Sequence, residues 1–109
     1  MELAFDSRPL RSFCEDQSIA AKELSPAVAE TLKHRLADLH AARSVNDLLV
    51  GRPRVSVVAG VECFMIDLCE GYLIVLQANH PRNPTTEDGG LNWAMVSRLK
   101  VIRIGRDDD

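Results

Sequence analysis

Apolar positions along this chain switch from a period of two to a helical spacing and back, and each switch marks an element. Glu2-Leu3-Ala4-Phe5-Asp6 alternates polar with apolar residues, which predicts a short first strand with Leu3 and Phe5 facing inward. Ser7 has the chemistry of an N-cap and Pro9 suits a first helical turn. Leu10, Phe13 and Cys14 then share one face, so a short helix is expected to end near Asp16. Ser25-Pro26 is a stronger start signal, and the helix after it is expected to run to about residue 42. Val28, Leu32, Leu36 and Leu39 form its apolar stripe, while Glu30, Lys33, His34 and Asp38 face mainly outward. One more helical turn is expected near residues 44–48, before Gly51-Arg52-Pro53 breaks the pattern.

From there the chain reads as sheet. Residues 54–58 and 62–68 are strand candidates joined at Ala59-Gly60-Val61, and Glu70-Gly71 turns the second into Tyr72-Leu73-Ile74-Val75-Leu76. That last run is short and unbroken, which suits a central strand buried on both faces. A polar loop over residues 79–90 follows. A glycine pair feeds a short helical turn, and Leu99-Lys100-Val101-Ile102-Arg103-Ile104 returns as the final strand. The expected fold class is α+β: an N-terminal strand and two helices packed on a twisted, mainly antiparallel sheet of about five strands.

The 109 residues, 46% of them hydrophobic, suit a single domain over 1–109 and leave no room for a second core. The N-terminus lacks the pattern of a signal peptide and no apolar run approaches the roughly 20 residues of a membrane helix, so a cytoplasmic protein with no membrane association is expected. Cys14, Cys63 and Cys69 are too few and too irregular for a disulfide framework and read as reduced packing thiols. A net charge of -3 gives no global positive field for nucleic acid, although a local basic patch is compatible with it. The terminal Asp107-Asp108-Asp109 reads as a mobile acidic tail. His34 and His40 read as solvent-facing helix residues and His80 as part of a polar loop. Cys63, Cys69 and His80 have no metal-ligand spacing, so no metal or other cofactor is expected.

Several stretches together resemble a known family. They are the first strand, Leu10-Arg11-Ser12-Phe13-Cys14-Glu15-Asp16, the helical Leu32-Lys33-His34-Arg35-Leu36-Ala37-Asp38-Leu39, the pair Ala41-Ala42, and Glu87-Asp88-Gly89-Gly90-Leu91-Asn92-Trp93. Over nearly the whole chain they look like the HigB branch of the RelE/ParE toxin superfamily, and the acidic pair, glycine pair and tryptophan are the most specific match. The resemblance implies a RelE/ParE-like fold and the toxin of a type II toxin-antitoxin system. It also implies a HigA-like helix-turn-helix antitoxin as partner and messenger RNA cleavage on the ribosome. Such an mRNA interferase is a metal-independent endoribonuclease. The 2′-hydroxyl attacks the adjacent phosphate, so the RNA-binding protein supplies a base, cations for the developing charge and an acid for the leaving oxygen.

The chain departs from the family pattern where those groups sit. Ser56 and Val58-Ala59-Gly60 stand where relatives place histidine and leucine-lysine-glycine, Tyr72-Leu73 where they place tyrosine-arginine, and the chain ends without aspartate-tyrosine-histidine. The basic residues left for RNA phosphate are Arg52, Arg54, Arg98 and Lys100. Arg54, Tyr72 and Lys100 are the catalytic candidates, with Glu62 a further acid or base. By strict alternation Arg98 and Lys100 share a face and Arg103 lies on the other. Trp93 is expected to anchor the loop. Two other functions suit the same fold: a catalytically silent relative that binds antitoxin as a regulatory module, and a ParE-like gyrase poison.

Overall fold

The computed structural model describes residues 1–106; the acidic tail expected at 107–109 lies outside the described residues. In chain order the elements are β1 (Glu2–Phe5), α1 (Arg8–Glu15), α2 (Gln17–Glu23), α3 (Pro26–Ala41), β2 (Arg54–Val58), β3 (Val61–Asp67), β4 (Tyr72–Ala78) and β5 (Arg98–Arg106). Short 3-10 turns occur at Val45–Asp47 and Trp93–Met95. The strands form one five-stranded sheet in the order β1-β5-β4-β3-β2. β1 runs parallel to β5 and the other pairings are antiparallel, so the α+β expectation holds with a mixed sheet.

The capping signals act as the sequence implied. Ser7 Oγ accepts from the Leu10 amide, and Ser25 Oγ accepts from the Val28 amide at 3.1 Å with Pro26 in the first turn. The third helix, α2, is a correction to the two expected. Asp16 ends α1 by donating its amide to Ser12, then starts α2 by accepting from the Ser18 and Ile19 amides at 2.9 and 3.2 Å. Of α2's residues only Ala20 is buried, so the helix has no apolar stripe to announce it in sequence.

All three helices lie on one face of the sheet. There Leu32, Leu36 and Leu39 of α3 meet Phe64, Ile66, Ile74, Leu76, Leu99 and Val101 in the main core. By alternation the neighbouring residues point to the opposite face, where Cys63, Leu73 and Val75 form a small second cluster with Met65 and Ile102. The β4–β5 register shifts between Val75 and Leu76: Leu76 pairs with Val101 and Val75 with Arg103, leaving Ile102 as the extra residue of a β-bulge.

Candidate functional site

The open face of the sheet carries most of the candidate chemistry, and the bulge decides what it displays. Val75 and Gln77 lie on this face; their partners are Arg103 and Lys100, so both cations point the same way. This corrects the expectation that Arg103 lies opposite Lys100, because strict alternation fails across the extra Ile102. The Arg103 guanidinium folds back to donate to the Arg106 carbonyl at 2.6 Å. It occupies the space above Gly105, where an added Cβ would stand 3.1 Å from it. Among the described residues no carboxylate pairs with Arg103.

The sequence-predicted phosphate-binding residues have a different environment. Arg54 donates to Asp67 Oδ1 at 3.1 Å, and Arg52 holds the other oxygen, Oδ2, of the same carboxylate. The backbone imposes this geometry. Gly51, at φ +88°, lies so close to β3 that an added Cβ would be 2.7 Å from the Asp67 carbonyl, and the turn then swings Arg52 onto the Asp67 side chain. Burial alone would raise the Asp67 pKa, but the hydrogen bonds and charges of Arg52 and Arg54 outweigh it and hold the carboxyl below its ordinary value. At the other edge of the sheet, the parallel register sets Glu2 beside Arg98 and Ala4 beside Lys100. Arg98 Nε is 3.1 Å from Glu2 Oε2, and Lys100 Nζ is 3.6 Å from Asp6 Oδ1.

The catalytic candidates do not converge. Arg54 and Lys100 share the open face but lie on β2 and β5, with two strands between them and an offset along the sheet, so their backbones are more than about 14 Å apart. Tyr72 alternates with Leu73 and falls on the helix side, where the Arg106 guanidinium lies 5.1 Å from its ring centre. Leu73, at the position where the resembled family has arginine, is 2% exposed and pairs with Asp67 and Gly105 across the sheet. Glu62 accepts from the Leu91 amide at 2.9 Å and from Trp93 Nε1 at 3.3 Å, and Trp93 packs on Phe64 at 5.5 Å. Both Glu62 oxygens thus tie the long loop to the sheet, with Trp93 as the anchor. His80 clamps the other end of that loop: its Nε2 accepts from the Ser97 and Arg98 amides at 3.1 and 3.3 Å.

Sequence reasoning did not find a cavity of about 600 Å³ between α1, α3 and β1. Leu3, Phe5, Phe13 and Leu32 line it with Lys33 and His40, away from the open-face cations. Cys14 also lines it, but burial, then the Glu15 charge, pushes its thiol pKa up to about 12, which keeps it protonated and unreactive. All three cysteines are free. Among the described residues, no three His, Cys, Asp or Glu side chains gather at metal-binding distance, and no helix is long and apolar enough to cross a membrane. No family model, curated protein or solved structure matches the chain.

Proposed function

We propose that this chain is a HigB-like member of the RelE/ParE superfamily that acts in the cytoplasm by binding a HigA-like antitoxin and is silent as a ribonuclease. One observation carries the silent reading. Arg52, Arg54, Arg98 and Lys100, the residues left for RNA phosphate, each face a carboxylate of their own chain. A phosphate must displace those carboxylates to be bound, and the net gain in positive potential at the face is small. Neither acid–base candidate serves that face: Glu62 is committed to the loop and Tyr72 lies on the other side of the sheet. Losing one preorganised donor or cation costs a nuclease ~10²-fold or more in rate, and here several are lost together.

Arg103 favours a second reading, in which messenger RNA cleavage persists, because it is a cation on the open face with no carboxylate partner among the described residues. Inducible expression with and without the neighbouring reading frame separates the two. The silent reading expects unchanged growth, intact messenger RNA, and co-purification with a helix-turn-helix product of that frame. Growth arrest with cleaved messenger RNA supports the second reading, and arrest with DNA-damage signalling and intact RNA supports a gyrase poison. Unchanged growth without any associated partner overturns the toxin-antitoxin assignment.

A further inference from the structure

The two edges of the sheet are defended unequally. β1 is four residues long, carries Glu2 and is followed by Asp6, so charge and shortness blunt its free side. β2, Arg54–Val58, is one residue longer and carries no charge beyond its first residue. Val55, Val57 and Val58 are 46%, 64% and 42% exposed, and Val61 across the hairpin is 48% exposed. The strand has no proline and no lysine, and among the described residues no other strand lies on its outer side.

Hairpin geometry fixes which backbone groups that edge offers. Val58 and Val61 flank the two-residue turn Ala59-Gly60, whose φ values of +51° and +80° suit a type I′ turn, and flanking residues of such a turn exchange both their hydrogen bonds. Alternation from that pair turns the N–H and C=O groups of Ser56 and Arg54 towards β3 and those of Val55 and Val57 outward. A strand that meets this edge must therefore exchange hydrogen bonds at Val55 and Val57.

We propose that β2 pairs antiparallel with β2 of a second copy of this chain, about a two-fold axis at Ser56, to join the two sheets into one. In that register Val55 lies opposite the second copy's Val57, so the same outward groups supply donors and acceptors from both sides, about four backbone hydrogen bonds in all. A self-complementary edge is what a two-fold interface requires, and this favours a second copy over a foreign strand. On the helix side, Val55 and Val57 become cross-strand neighbours. On the open side, Val58 lies beside the second copy's Arg54. Arg54 is the only charged residue of the strand, its charge is met by Asp67 of its own chain at 3.1 Å, and the register places no like charges opposite one another. A strand of this length buries less than the ~1,600 Å² of a standard interface, so association is expected to depend on concentration.

Sedimentation equilibrium of the full chain tests this. The natural sequence is expected to rise from its 12.1 kDa monomer mass towards twice that value as concentration increases. Val57→Lys adds a charge at an exposed site, leaves the circular dichroism unchanged and weakens association by about tenfold or more, about 1.4 kcal/mol or more. Register is read by oxidation. Ser56→Cys in a Cys63→Ala background, which removes the facing thiol within the hairpin, brings two cysteines about 4.5 Å apart between Cα atoms and yields a covalent dimer. Val55→Cys in the same background does not, because its copies are offset along the strands. A chain that stays monomeric at every concentration, a dimer indifferent to Val57→Lys, equal cross-linking of the two cysteine variants, or a monomer that adds a foreign peptide strand at β2 overturns the proposal.

Discussion

On the helix-covered face of the sheet, Ile74, Leu76, Leu99 and Val101 are buried by a second layer, the leucine stripe of α3. On the open face Leu73 and Val75 are 2% and 3% exposed and, among the described residues, pack with Met65 and Ile102 from the neighbouring strands rather than under a helix. The same strand β4 thus serves two kinds of burial. One face makes the core, and the other keeps a thin apolar floor ringed by Arg54, Lys100 and Arg103. Most of the surrounding charges are held in pairs, which removes much of the positive field of that face.

The largest contrast is in core truncations. Leu76→Ala is expected to cost about 2–5 kcal/mol in urea unfolding, because both the strand and α3 lose contacts. Val75→Ala on the thin side should cost about 1–2 kcal/mol for fewer methyl groups in a smaller cluster. Equal losses would remove the distinction between the faces. Next comes Glu62→Ala, which leaves the Leu91 amide and Trp93 Nε1 unpaired and is expected to cost about 1–3 kcal/mol, with a red shift in tryptophan emission as the loop loosens.

Asp67→Asn sharpens the comparison from the open side. It should cost no more than about 1 kcal/mol, since the pair is partly exposed, and it takes the carboxylate charge away from Arg54. The log–log salt dependence of single-stranded RNA binding should steepen by about 0.7 if Arg54 then meets a phosphate. The Asp67 carboxyl titrates below its ordinary value, so its contribution is present above the unfolded-state pKa and is lost as pH falls through the folded one. The natural chain should therefore lose stability on acidification below about pH 4 more steeply than Asp67→Asn, read from urea midpoints. The smallest effect is expected for Arg98→Ala, whose exposed pair with Glu2 should contribute about 0–0.5 kcal/mol.

Much of the fold was legible because local signals and burial agree. Ser25-Pro26 caps α3, its leucine stripe is buried, and the unbroken β4 run is central. α2 was not legible, because Asp16 caps two helices at once and α2 buries only an alanine. The face of Arg103 was hidden by a bulge that depends on β4, and the pairing of Glu2 with Arg98 by a parallel register across 96 positions of chain (98 − 2). Basic residue types could be found in sequence. The carboxylates that neutralise them, Glu2, Asp6 and Asp67, lie on or beside the neighbouring strands, so the charge state of the site became visible only with the strand order.

An open face whose candidate cations are met by the chain's own carboxylates should not cleave RNA. The most direct measurement adds the purified chain to a reconstituted translation reaction and maps messenger RNA ends by primer extension. The same ends are expected with and without the protein. New, discrete ends that appear only with the protein and are lost in Arg103→Ala or Lys100→Ala would contradict it.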